Sequence, residues 1–424
     1  MEKERQGGRM PKIPDERQEQ KAWLMEQIQC LSNRYEEDVL KLRREIHREP
    51  ELAFREFKTA EKIRQALSPM GLALRTGIAG TGLIADLEGK APGKNLLLRA
   101  DMDALPMGEE NDLPFCSRNP GVMHACGHDV HAANLAGVAR ILWELREYWN
   151  GSVRFVFQPA EESGGGGREM IRAGILEDKK FDASLALHVE ASARPGHFVL
   201  GWGNITAYSD RFTITVRGKK THSARPHKGV DAIAIAAQVI TALNGLLLKE
   251  IDPLKQATYS IGMIQGGTAP NIIADKVELT GMMRNVTAET RQVLAERLKS
   301  VSEGIASALG GSAEFTLFEG YPSVYNDPAL TDFVAREISA QSARWVSDLV
   351  PDLAGQELLI RETQPILGAE DYGFYTQKLP CCFYRVSTGN QAPTHSTRFM
   401  VEEPYIKLCT RSLASLAVSY LLGS

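Results

Sequence analysis

A chain of 424 residues is too long for one small hydrophobic core and divides most naturally into two domains. Its 43% hydrophobic and 24% charged residues are ordinary for a globular protein. A net charge of −4 removes the electrostatic case for nucleic acid or an anionic membrane as the main partner.

Met1 to Gln20 is polar and charge-rich, which predicts a frayed tail without a secretory leader. Ala22 to Leu67 reads as two helices broken near Pro50, the second beginning close to Glu51. Strands are expected over Ala79 to Leu87 and Asn95 to Arg99, the latter running into Asp101 and Asp103 at its exit. The stretch from His124 to His131 then gathers three of the nine histidines with Cys126 and Asp129. A helix follows over Ala132 to Tyr148, and a strand over Ser152 to Pro159 leads directly into Glu161, Glu162 and the run Gly164 to Gly167. That run lacks the Lys-Ser/Thr of a phosphate loop and the spacing of a dinucleotide fingerprint, so it reads as a flexible turn. Phe181 to Val189 is another strand and delivers His188 at its carboxyl end. Apolar strands alternating with helices predict an α/β layered domain over residues 21–203.

The pattern changes near Gly203. Arg211 to Arg217 alternates polar and apolar residues, the mark of a half-exposed antiparallel strand. The apolar stretch Ala232 to Leu248 is interrupted by Gln238, Thr241 and Asn244, which makes it an amphipathic helix and not a membrane span. Strands at Thr258 to Ile264 and Lys276 to Met283, a helix at Ala288 to Leu309 and a strand at Phe315 to Phe318 complete a ferredoxin-like order. Residues 204–320 are therefore expected to form an inserted α+β domain, with 321–424 returning to the first domain. Cys382 to Val386 is the last strand and leads to His395.

Imidazole and thiolate are good ligands for borderline divalent ions, and Gly127 lets Cys126 and His128 bend toward one centre. In open α/β sheets ligands collect outside the carboxyl ends of strands, where Glu161-Glu162, His188 and His395 are all delivered. Adjacent glutamates suit a split of duties, one on a metal and one on a water. His131, three positions after His128, is open to either a ligand or a supporting role. The six cysteines show no disulfide-framework spacing, Cys381 and Cys382 read as buried thiols, and a reducing cytoplasm is the simplest compartment.

Several segments carry a resemblance in chain order from about Leu42 onward. They are Arg44-Glu45-Ile46-His47 with Pro50-Glu51-Leu52, the run Arg99 to Pro106, Met123 to Asp129, Phe157 to Glu162, Gly368 to Tyr372, and His395-Ser396. Together they resemble the amidohydrolase branch of the aminoacylase and carboxypeptidase-G-type metallopeptidases, which includes hippurate hydrolases, N-acyl-amino-acid amidohydrolases and plant auxin-conjugate hydrolases. The resemblance implies a zinc-peptidase-like α/β/α catalytic domain holding one or two divalent ions, with zinc or manganese favoured over cobalt or nickel. It implies Cys126, His128, Glu162, His188 and His395 as ligands, Glu161 as general base and His131 as a neighbour. It further implies that the inserted domain is a lid that also dimerises, giving a homodimer in which the lid's His222 steadies an oxyanion in the partner's site, while Asn271 and Arg284 bind a substrate carboxylate. Thr221 stands where many relatives have Gly, and Ala232 where Pro is usual.

The expected activity is metal-dependent hydrolysis of an N-acyl-amino acid to a carboxylic acid and a free amino acid. A cysteine-nucleophile acyl hydrolase built on Cys126 is the alternative enzyme, but it leaves Glu162, His188 and His395 without a purpose. A non-catalytic binding protein on the same scaffold is expected to have lost Glu161 or a ligand, and this chain keeps them all.

Overall fold

The computed structural model describes residues 17–191, 193–245, 251–252, 255–353, 355–389 and 392–423. Its main layer is an eight-stranded sheet. In spatial order the strands are Ala73–Ile78, Gly82–Glu88, Ser152–Gln158, Asn95–Asp101, Ala183–Glu190, Cys381–Ser387, Phe198–Gly201 and Leu359–Glu362. The four central strands, from Ser152–Gln158 to Cys381–Ser387, run parallel. A parallel sheet has to be covered on both faces, and side chains alternate accordingly. Leu96 and Leu98 enter one core with the helices His128–Glu144 and Glu403–Leu422, while Leu97 enters a second core with Met170, Tyr372 and Phe383.

The region Ala22 to Leu67 holds three helices, not two: Arg17–Arg34, Glu36–Arg48 and Phe57–Leu67. The extra break falls at Tyr35, which has non-helical dihedrals, and the last helix starts six residues later than Glu51. The helix expected from Ala132 begins at His128, because Gly127 in the left-handed region starts it there. Ala73–Ile78, Phe198–Gly201 and Leu359–Glu362 were not anticipated; they lie at or near the sheet's margins and are short or lack a long apolar run.

A second, four-stranded antiparallel sheet has the order Ala257–Gly266, Lys276–Asn285, Tyr208–Arg217, Ser312–Tyr321. Numbered along the chain this is 2-3-1-4, the ferredoxin-like arrangement. Its own core joins Phe212, Ile214 and Leu279 to Ile235 and Val239 of the helix Ala232–Leu243 and to Leu294 and Leu298 of the helix Ala288–Ala308. Asp231 caps the first of these helices by accepting from the Ile233 and Ala234 amides. The stretch of the expected apolar helix beyond residue 245 lies outside the described residues. Among the described residues no helix is long and apolar enough to cross a membrane.

Candidate metal centre

Gly127 sits at φ 89°, and a Cβ there would lie 2.3 Å from a Val189 methyl, so only glycine fits this turn without displacing the sheet. The turn places Cys126 beside His188, Sγ to Nε2 at 3.4 Å. The His188 Nδ1 donates to the Val189 carbonyl at 2.6 Å, which leaves Nε2 unprotonated and facing the cluster. His128 is fixed in the same way: its Nδ1 lies 3.0 Å from the Asp103 carbonyl and 3.1 Å from Asp103 Oδ1. Its Nε2 is buried and has no hydrogen-bond partner. Glu162 Oε1 stands 4.0 Å from that nitrogen and 3.2 Å from His395 Nε2. His395 is held at φ 63°, with its amide donating to the Ala125 carbonyl at 2.7 Å. Donor atoms of Cys126, His128 and His188, and likewise of Cys126, Glu162 and His395, lie within 4.8 Å of one another. The five residues expected to be ligands thus converge from four separate segments.

His131 does not join them. Its Nδ1 donates to Asp101 Oδ1 at 2.6 Å and its Nε2 accepts the Val189 amide at 2.9 Å, so both nitrogens are spent. Asp101 is also bound by Arg99, whose buried guanidinium reaches Gln158, Glu370 and Asp371 as well. Asp103 accepts the backbone amides of both Glu161 and Glu162, at 3.0 Å each. Sequence reasoning placed Asp101 and Asp103 at a strand exit near the metal and left their supporting roles open. It named Arg99 only within a resembling segment and assigned no role to it or to Tyr321, whose contacts are made with residues distant in sequence.

Glu161 is buried, and its Oε1 accepts the Asp371 amide at 3.3 Å. Burial, together with the neighbouring Glu370, Asp371 and Glu162, pushes its carboxyl well above the usual range. Burial pushes Glu370 up to about 7 and Asp371 up to about 6, against the pull of Arg99. Burial also pushes the Cys126 thiol up to about 12, so the free protein holds it protonated at neutral pH.

A cavity of about 810 Å³ opens onto Cys126, Glu161, Glu162, His188 and His395. Arg284 lines it too and donates to the Leu367 carbonyl at 3.1 Å. His222 and Asn271 are not among its lining residues. They lie together on a ribbon in which Thr221–His222 pairs with Ile272–Ile273, and the Ser223 amide donates to the Asn271 carbonyl. His222 is exposed, and its Nδ1 accepts the Ala224 amide at 3.1 Å.

Three imidazoles, one with an unpartnered buried nitrogen, a thiol and a carboxylate fit one or two divalent cations. With an acidic residue beside them in a cavity of this size, fold and site define a metal-binding hydrolase. The chain belongs to the peptidase family M20/M25/M40, whose model matches residues 97–419. It is 35% identical over 406 residues to thermostable carboxypeptidase 1 of Saccharolobus solfataricus, covering 94% of this chain and 99% of that protein. It is 39% identical over 302 residues to the N-acyl-L-amino acid amidohydrolase of Geobacillus stearothermophilus, covering 71% and 81% respectively. Among solved structures it resembles the YxeP protein of Bacillus subtilis, described as a dinuclear metal binding peptidase, with a TM-score of 0.78, 33% identity and coverage of 92% and 99%.

Proposed function

We propose that this protein hydrolyses the amide bond of N-acyl-amino acids, with Glu161 as the general base. Cys126, His128, Glu162, His188 and His395 would hold one or two divalent ions. An ion bound there supplies Lewis-acid polarisation of the scissile carbonyl and lowers the pKa of water. Glu161 takes a proton from the attacking water and returns it to the departing nitrogen as the C–N bond breaks. A carboxyl whose pKa burial raises holds a proton more readily than a free carboxylate, which suits its return to the departing nitrogen. Arg284, on the cavity wall, and Asn271 would bind the substrate carboxylate, and His222 of a second subunit would stabilise the oxyanion. The single observation that carries the reading is the adjacency of Glu161 and Glu162. Both amides are fastened to one Asp103 carboxylate and both side chains line the cavity beside His128, while only Glu162 is also grouped with Cys126 and His395.

The Cys126–His188 contact favours a second reading, a thiol nucleophile activated by imidazole. The burial that holds this thiol protonated weighs against it.

The test is a panel of acetyl, benzoyl, indole-acetyl and aminobenzoyl amino acids, offered to the enzyme loaded with zinc, manganese, cobalt or nickel. Release of free amino acid is expected from at least one conjugate. Glu161→Gln should lower kcat by roughly 10²–10⁴-fold while retaining metal. Near-normal turnover by that variant would remove Glu161 from the role of base.

A further inference from the structure

The turn that bears Glu161 and Glu162 is closed by one backbone bond of its own, from the Gly166 amide to the Ala160 carbonyl at 3.0 Å, and is otherwise held from outside. It opens at Ala160, a non-glycine residue at φ 55°, and passes through Gly164 at φ 107° and Gly165 at φ 69°. Consecutive glycines have little preference of their own for such a path. The Ala160 amide donates to Glu56 at 2.9 Å, the Glu161 and Glu162 amides donate to Asp103, and the Gly167 amide donates to Asp371 at 2.8 Å. These three carboxylates belong to segments around the eight-stranded sheet.

Tyr321 reaches the turn from the other sheet. It is the last residue of the strand Ser312–Tyr321 and pairs with Ser209 there. Its hydroxyl donates to the Glu161 carbonyl at 2.8 Å and accepts the Gly165 amide at 3.0 Å, so one oxygen bridges both ends of the turn. The ring lies edge-on to Phe374, with centroids 6.0 Å apart, which restrains the phenol from the side.

We propose that Tyr321 is a positioning residue that ties the smaller domain to the turn carrying Glu161. This rests on the reading of Glu161 as the base. A displacement of the strand end at Tyr321 is passed to the Glu161 carbonyl and the Gly165 amide through that single oxygen. The placement of the base therefore depends on where the smaller sheet lies.

Tyr321→Phe keeps the ring and its contact with Phe374 and removes only the hydroxyl. Hydrogen–deuterium exchange on the metal-loaded full-length protein reads the turn without any substrate. Amides of residues 162–167 should exchange about fivefold faster in the variant, the loss expected for one net hydrogen bond, while those of Asn95–Asp101 stay unchanged. With a cleaved conjugate, kcat should fall about tenfold, with KM within about twofold and metal content unaltered, since the hydroxyl's bond to the base's own carbonyl and its bond to the Gly165 amide are both lost. Unchanged exchange in the turn would overturn the tether, whatever happens to turnover. Faster exchange with unaltered kcat would overturn its role in placing the base, and a raised KM at constant kcat would move the hydroxyl onto the substrate. If the wild-type enzyme cleaves no conjugate, the assignment of the base fails instead, and the exchange measurement still decides the tether.

Discussion

Asp103 and His128 are locked together at the start of the helix His128–Glu144, with His128 Nδ1 within 3.1 Å of both the carbonyl and the carboxylate of Asp103. The contact turns Nε2 toward the donor cluster and selects the tautomer that can bind a cation. The same carboxylate carries the Glu161 and Glu162 amides, so it orders both halves of the site at once. Asp103→Ala should therefore weaken metal binding by roughly 10–100-fold, read by competition with a chelating dye. An unaltered dissociation constant would mean that the cluster is organised without Asp103.

Cys126 distinguishes a ligand from a nucleophile. As a ligand it should resist alkylation in the metal-loaded enzyme and react only after chelation, slowly because burial keeps the thiol protonated. Chelation should abolish activity, and metal should restore it. Activity that survives chelation and disappears on alkylation would establish the thiol mechanism instead.

His222 lies outside the residues that line its own chain's cavity, on an exposed ribbon. The edge strand Ala257–Gly266 of the four-stranded sheet exposes Met263 and Ile264, a surface on which a second copy could pack. Mixing His222→Ala subunits with Glu161→Gln subunits should restore about a quarter of wild-type activity, because half the dimers are mixed and each has one intact site. Verified exchange without recovery would confine His222 to its own chain or remove it from the reaction.

Stability should follow a buried pair at His47. His47 Nε2 meets Glu109 Oε1 at 3.1 Å, and its Nδ1 meets Asp129 Oδ2 at 2.8 Å. Burial alone would raise the Glu109 carboxyl, but His47, the Ser117 amide and Asn111 hold it at about 2. Burial opposes protonation of His47, yet Asp129 and Glu109 raise it above its ordinary 6.5. Glu109's contribution is thus present above 4.5 and lost as pH falls toward about 2. That of His47 is present below 6.5 and lost as pH rises through its raised value. Urea unfolding should show wild type more stable than Glu109→Gln by about 2 kcal/mol near pH 5.5, with the gap closing on both sides. A gap that is flat across pH would refute charge on this pair as its source.

Much of the site was legible because its donors are local in sequence. Cys126 and His128 flank one glycine, Glu161 and Glu162 are adjacent, and His188 ends an apolar strand. A strand leaves a periodic imprint, and its exit is where an α/β sheet presents ligands, so the order of apolar runs was enough to predict where these residues would meet. The two helices drawn between Ala22 and Leu67 failed at Tyr35 because neither proline nor glycine marks that break.

What the chain alone determined was the chemistry on offer: which donors exist, and which strand each follows. Only the tertiary structure decided which donors remain free. His131 carries the same imidazole as His128, but Asp101 and the Val189 amide consume both its nitrogens, whereas Asp103 consumes only one of His128's. Asp103 meets the Glu161 and Glu162 amides 58 and 59 residues along the chain, and Tyr321 meets the Glu161 carbonyl across 160 residues. Hydrogen bonds between such distant partners leave no periodic trace in a sequence, because they depend on where two sheets come to rest and not on the local alternation that builds either one.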